Sequence, residues 1–416
     1  LSPVRRLLYI GDRAMGALSF APADGLPARA LEENVTLALL RDQARRAIQG
    51  QLDHALSEIR MAASSAGGMR AKALINWDRK TNEVGFGSAP AGDGHEPWLV
   101  KFDGVGEAPG PQPWCRLEYA YTQMAAEAGI EIAEVTLIED GELRHFAAKR
   151  FDREATRRIH VASLAGLQHV DFNVPGACGY ELAFQTCLEL GLAAPEVEEM
   201  YRRMLFNVIA CNQDDHPKQI EFLMDPGSGL WRLAPAYDLT YAHGAGYTRT
   251  HQMSVRGRVE GITRDDLLTV GRQFGVRRPE QQIDQVAQAV ARWPAFAREV
   301  DLPADWVETC RNNHANGDPM SAKQQTSARR GGAATRSDCA RKHELLACLS
   351  PYRQRAFAGG ECSIDLPEIE RERERRRRSV LEDDVDASAG LKGGLNGCVR
   401  AGAHLRQEVL CGCGDE

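Results

Sequence analysis

The chain has 416 residues, 43% hydrophobic and 26% charged, an ordinary globular balance with room for two or three domains of ~100–200 residues. No run approaches the ~20 apolar residues of a membrane span, and Leu1–Leu8 lacks a secretory layout, so a cytoplasmic protein with no membrane partner is expected. A formal charge of −7 excludes a global attraction to nucleic acid, leaving only a local patch.

In chain order, Ser64-Ser-Ala-Gly-Gly-Met-Arg-Ala-Lys72 is a turn of small residues. Leu99–Phe102 is a short apolar strand, and Arg116–Ala128 has helical spacing that stops before Gly129. Ile132–Ile138 and His145–Phe151 alternate as strands do, with Glu139-Asp-Gly141 between them, which makes a hairpin. Tyr180–Leu190 and Val197–Ala210 are amphipathic helices. Ile220–Met224 and Leu230–Leu233 form a second hairpin across Asp225-Pro-Gly-Ser-Gly229. Leu267–Phe274 and Gln281–Phe296 are further helices. This order predicts an α+β, two-lobed plan: a β-rich small lobe over 31–152 and an all-helical large lobe over 153–310, interrupted by that one hairpin.

The composition breaks near residue 310. Every tryptophan lies at or before Trp306, and Ser/Gly/Ala/Arg-rich sequence with little apolar periodicity follows. Such sequence buries too little apolar surface to offset its chain entropy, so 311–416 is expected to be a poorly structured tail or foreign to the folded core. Its mixed-charge run Ile369–Arg378 reads as an exposed face, and the lone Cys411-x-Cys413 is weak evidence for a metal. The cysteines before residue 300 (115, 178, 187 and 211) are expected to be buried thiols.

Four constellations each meet a need of phosphoryl transfer: phosphates positioned, metal held, charge neutralised, a hydroxyl oriented. Ser65, Gly67 and Gly68 allow a turn whose N–H groups face phosphate oxygens, with Lys72 as a nearby cation. Alone this is a plain Gly-rich turn, and it lacks the Walker ending. Lys101 ends an apolar strand and Glu118 follows on the next helix; such a pair fixes nucleotide phosphates in kinases, although a strand-end lysine is also an ordinary surface residue. Cys211–Gln219, between a helix and a hairpin, is either a polar cap and turn or a catalytic loop. In the second case Asp214 faces a substrate hydroxyl and Lys218 offsets developing negative charge. Asp238, just after the second hairpin, is a turn former or a hard oxygen ligand for Mg²⁺.

Taken in order, the strings SSAGGMRAKALI, PWLVKFD, FAAKRFDR, NQDDHPKQIEFLMD and LAPAYDLTYAHG resemble the successive signatures of HipA-type serine/threonine protein kinases, from about Gly16 to about Pro303. The resemblance implies a protein-kinase-like fold of the HipA type that uses ATP and Mg²⁺. It implies Asp214 as catalytic base, Asp238 as metal ligand and Lys101 on the nucleotide phosphates. It further implies a hinge of Lys149, Arg150 and Phe151 against adenine, His216 among the nucleotide contacts, and Ser65 as an autophosphorylated serine. A helix-turn-helix antitoxin of HipB type, through which DNA is met indirectly, and a protein substrate of the aminoacyl-tRNA synthetase class are implied as well. The chain departs from the pattern in two places. Gln219 stands where the family has an Asn that helps hold a second metal. Gly11–Phe20 resembles only the end of a small N-terminal domain, so residues 1–30 are read as its remnant, with the start at Leu1 suggesting a clipped N-terminus. Two other readings therefore stay open: a catalytically weakened pseudokinase that binds the antitoxin, and a small-molecule phosphotransferase of related fold.

Overall fold

An antiparallel sheet and a body of helices make up the residues described by the computed structural model: 3–11, 14–22, 36–48, 70–87, 94–105, 110–154 and 157–317. All fall within one unit, Leu1–Arg330; the other, Gly331–Glu416, lies outside the described residues, and with it most of the expected tail. Strands β1 (Lys72–Trp77), β2 (Val84–Phe86), β3 (Glu96–Lys101), β4 (Val135–Asp140) and β5 (Leu143–Lys149) form a five-stranded sheet in the order β2-β1-β3-β5-β4. Pleating sends alternate side chains to opposite faces. Ile75, Trp98, Val100 and Ala147 share one face and bury with Leu40 of the Leu37–Ile48 helix. Trp77 and Trp98 meet edge to face at 5.4 Å there, worth about 0.5–1.5 kcal/mol beyond the area they bury. The other face presents Lys72, Leu99, Lys101, Phe146 and Ala148 to a cleft. The expected β4–β5 hairpin closes on the Asp140–Leu143 pair, with Gly141 at φ 63°, the left-handed backbone that two-residue loops demand.

The Trp114–Glu127 helix joins this sheet to the main core, burying Leu117, Tyr121 and Met124 against Phe206 and Trp293. Helices Tyr180–Glu189, Ala194–Ile209, Arg264–Gln273 and Pro279–Ala291 supply most of the rest. The single helix expected over 281–296 is two, Pro279–Ala291 and Trp293–Glu299. Pro294 has no N–H to give to a helix interior and is accommodated only in a first turn. The expectation of an all-helical second lobe with one hairpin is also corrected. Strand His160–Ser163 pairs with Glu221–Met224, which pairs with Trp231–Leu233, and Cys178–Gly179 runs parallel to Met253–Ser254. A hairpin alone is marginal, and the third strand covers its open edge.

The last described helix, Ala304–Gly317, runs through the compositional break at 310. Its Cys310 and His314 are buried, and His314 Nε2 lies 2.6 Å from the Tyr121 hydroxyl. Burial pushes the His314 imidazole down to about 4. No described helix is long and apolar enough to cross a membrane.

A buried carboxylate fastens the segment Ala14–Phe20. Asp152 is fully buried and accepts from Arg150 Nε at 2.9 Å and Nη2 at 2.8 Å, from Arg153 Nη1 at 2.7 Å and from the Gly16 N–H at 2.8 Å. Gly16 sits at φ +74°, and a Cβ there would come within 3.0 Å of the Val161 nitrogen. Burial alone would push the Asp152 carboxyl up, but Arg150 and Arg153 overcome it and hold the pKa below the ordinary 3.8. Asp152→Ala should therefore cost about 3–5 kcal/mol at neutral pH, because it strands buried guanidinium groups. The carboxylate's own contribution is present above the ordinary aspartate range and is lost as pH falls through its lowered pKa. Urea titrations at neutral pH and in acid should show the deficit shrinking in acid; a deficit that ignores pH would assign it to packing instead.

Candidate active site

The Ala194–Ile209 helix ends at Ala210, and Cys211, at φ 54°, turns the chain into the left-handed region. The loop that follows is hung on Ala242: the Gln213 N–H donates to the Ala242 carbonyl at 2.8 Å, and the Ala242 N–H to the Cys211 carbonyl at 3.1 Å. Two further bonds, His216 N–H to Asp214 O and Gln219 N–H to His216 O, both 2.9 Å, tighten it before the strand at Glu221.

Asp214 and Asp215 are consecutive and have opposite surroundings. Asp215 is buried and accepts from the Tyr180 hydroxyl at 2.8 Å and the Gln252 N–H at 2.7 Å, with His251 Nδ1 at 3.0 Å and the Met253 N–H at 3.4 Å. Its acceptor capacity is taken up by the scaffold. Asp214 keeps 40% of its side chain exposed, with His216 Nε2 at 3.9 Å. Burial, joined by the charges of Asp238 and Asp215, raises its pKa against the pull of His216 and Lys101. A carboxylate of raised pKa with oxygens open to solvent is a competent proton acceptor.

Lys101 is buried and donates at once to Glu118 Oε1 and Asp238 Oδ1. Arg70 Nη1 reaches the other Glu118 oxygen at 3.2 Å. Asp238 stands at φ 53°, a backbone that costs an L-residue about 1–2 kcal/mol. It is held there because the segment is pinned upstream, where the Ala236 N–H donates to the Glu131 carbonyl at 2.8 Å. Burial works against the Asp238 charge, but Lys101 and Lys72 outweigh it and bring the carboxyl to about 2. Burial and the charge of Lys101 lower Lys72. Burial also opposes the Lys101 charge, and there Asp238 and Glu118 prevail and raise it.

These groups form one end of a cleft whose other walls include Leu99, Val135, Ala148, Phe151 and Met15. Apolar walls with a few convergent charged groups suit a small-molecule site. Lys72, Lys101, Glu118, Lys149, Arg150, Phe151 and Asp238 from the sequence reading all line it. The hinge side chains are nevertheless turned to protein partners. Lys149 pairs with Glu96 and, at 3.8 Å, with Glu134, while Arg150 is bidentate on Asp152. Lys218 is exposed, its Nζ 4.1 Å from the centre of the Phe172 ring. His216 Nδ1 is buried with no hydrogen-bond partner among the described residues, and His216 lines a neighbouring pocket with Tyr180, Asn207 and Asp215. Gln219 lines that same pocket, which shares Ala236 and Tyr237 with the cleft, and is not among the residues lining the cleft with Asp238, its expected partner on metal. Among the described residues no cluster of three or more His, Cys, Asp and Glu is arranged to hold a metal. Ser65, Gly67 and Gly68 lie outside the described residues. Sequence reasoning missed Glu221 and Tyr237, which also line the cleft. The only signal was an acid opening an otherwise apolar strand.

The two aspartates should separate in stability. Asp215→Asn should cost about 1.5–3 kcal/mol, since it removes the charge from hydrogen bonds that Tyr180 and His251 make. Asp214→Asn should leave stability unchanged or higher, because the raised pKa marks a carboxylate disfavoured first by burial and then by the charges of Asp238 and Asp215. Matched urea titrations decide it: an Asp214→Asn loss as large as that of Asp215→Asn would make both residues structural.

The profile of the HipA-like C-terminal domain family matches residues 64–293, more than half of the chain. No curated protein matches significantly. Among solved structures, the fold is similar to a chain of the Shewanella oneidensis MR-1 toxin–antitoxin complex of HipA, HipB and operator DNA, at 18% identity and a TM-score of 0.55, covering 75% of this chain and 76% of that one. A more remote similarity is to the Helicobacter pylori proinflammatory kinase CtkA, at 11% identity and a TM-score of 0.33 over 54% of this chain and 92% of that one. The family match takes in Lys101, Asp214 and Asp238 together, and by it the chain belongs to the HipA-like C-terminal domain family.

Proposed function

We propose that the chain is an ATP-dependent serine/threonine protein kinase of the HipA toxin type. The observation that carries this reading is the Lys101–Glu118–Asp238 group in one cleft, with Asp214 near enough to Asp238 for its acidity to respond. Lys72 and Lys101 would hold phosphate oxygens, Lys101 fixed in place by Glu118. Asp238, ionised at neutral pH and a hard oxygen donor, fits Mg²⁺. Bound Mg²⁺ supplies charge neutralisation for the transferred phosphoryl group. Asp214 accepts the proton of the substrate hydroxyl, and Lys218 offsets negative charge beside it. Ser65 is the autophosphorylation site; a phosphate there adds about −1.5 to −2 charge beside those of the nucleotide and expels the loop. The substrate is a protein of the aminoacyl-tRNA synthetase class. A helix-turn-helix antitoxin of HipB type is the partner, supported by the HipB and operator DNA bound in the similar Shewanella complex.

The test is transfer of labelled phosphate from ATP to the chain and to a lysate. Asp214→Asn should lower turnover by ~10²–10⁴ while nucleotide still binds. Asp238→Ala should weaken Mg²⁺-dependent ATP binding in calorimetry, and the peptide carrying Ser65 should gain phosphate in the unaltered chain alone. No transfer and no ATP binding would remove the kinase reading, and label confined to small molecules would favour a small-molecule phosphotransferase.

The place of Gln219, in the pocket of Asp215 and His216, favours a second reading: a weakened pseudokinase that serves as a binding module for the antitoxin. If the kinase reading holds, Gln219→Asn raises activity at low Mg²⁺ and has less effect at saturation. Absence of rescue at every Mg²⁺ concentration is the pseudokinase result.

A further inference from the structure

Large apolar side chains stand exposed in the two loops that flank Asp214. Tyr247, in the turn Gly246–Arg249, is 43% exposed, and Val174 is 53% exposed. The half-buried Phe172 lies two residues before Val174. One such residue alone needs no explanation, but a group of them on a fixed frame does.

The frame is built from hydrogen bonds. The Tyr247 hydroxyl donates to the Phe172 carbonyl at 3.0 Å and joins the two loops. Gln252 is buried and ties both to the loop of Asp214. Its N–H donates to Asp215 Oδ1 at 2.7 Å, and its carbonyl accepts from the Gly176 N–H at 2.8 Å. Its side-chain amide donates to the Tyr247 carbonyl at 2.6 Å and lies 3.4 Å from the Gln213 carbonyl. Tyr247 is thereby fixed beside the residue that precedes Asp214. On the other side the Phe172 ring packs 6.0 Å from the His216 ring and 4.1 Å from Lys218 Nζ. Burial, then the charges of Asp214 and Asp215, raise the Tyr247 phenol, as their proximity requires.

A hydroxyl that gives its proton to Asp214 must come within ~2.6–3.2 Å of it. The polypeptide carrying that hydroxyl crosses the ground between Tyr247 and Phe172, and the residues next to the acceptor rest on those side chains. We propose that this surface selects protein segments in which a bulky apolar side chain adjoins the acceptor serine or threonine. Such a side chain is removed from water against the rings, whereas a polar one of equal size gains less. The surface is already ordered by Gln252, so little chain freedom is lost on docking. This inference rests on the kinase reading above.

The experiment is transfer of labelled phosphate from ATP, with Mg²⁺, to synthetic peptides by the full chain, Tyr247→Ala and Tyr247→Phe. Each peptide carries one serine in a Gly-rich background, with Leu or Gln at one of the two positions on either side. At one position or more, the Leu peptide should exceed its Gln counterpart in kcat/KM by about tenfold. Tyr247→Ala should lose most of that preference, act on the Gln peptides as before, and bind ATP unchanged in calorimetry. Tyr247→Phe keeps the ring and should keep the preference. Equal rates on Leu and Gln peptides overturn the inference, and so does a preference unchanged in Tyr247→Ala. An equal loss on every peptide marks a structural role and overturns it too. Label in lysate proteins but in none of the peptides also overturns it and leaves the kinase reading standing, since a local segment is then not what the site recognises. No transfer to any protein or peptide removes the kinase reading and this inference with it.

Discussion

The Lys101 ammonium lies between two carboxylates, and much of the site depends on that position. One comes from the helix after its strand and the other from the turn after the second hairpin, so a single cation ties three separate segments together. Ions taken out of water repay that transfer only while all partners stay in place, so no member of the group can be lost cheaply. The low pKa of Asp238, the raised one of Asp214 and the lowered one of Lys72 all respond to the same few charges. The left-handed backbone at Asp238 is tolerated because the segment before it is bonded to Glu131, in the stretch that leads into β4.

Much of this was legible in the sequence, and for identifiable reasons. Both hairpins announced themselves by alternation and by Gly/Asp turns, and Lys101, Asp214 and Asp238 stand at element ends where polar residues are conspicuous. Strand β1 was hidden because Lys72–Trp77 is largely buried on both faces, with Leu74 between Lys72 and Asn76 on one of them, so its period-2 signal is blurred. The Ala304–Gly317 helix was missed in part because its buried face past 310 is made by Cys310 and His314, which composition counts as ordinary tail residues.

Gln219 and Glu221 show a sharper limit. They are two residues apart, one entering a pocket with Asp215 and the other lining the cleft. Their directions are set by the Gln219–His216 turn and by the phase of the pleat that follows it. A shift of one residue in that phase would exchange every side chain between faces. Motif spacing alone carries no information on that phase. Asp214 and Asp215 pose the same problem, since their neighbours in the chain are shared and only the surrounding scaffold distinguishes them.

Tyr121 and His314 touch at 2.6 Å although 193 residues separate them along the chain. The wall that His314 forms over Tyr121 and Trp293 is therefore the last part of the main core to be synthesised. At ~5–20 residues per second, a ribosome needs roughly 10–40 s to pass from one partner to the other. The sheet contacts are complete well before then, since β5 ends at Lys149. Through that interval the aromatic faces of the unfinished core stay bare, and chaperones and neighbouring nascent chains compete for them until the closing helix emerges.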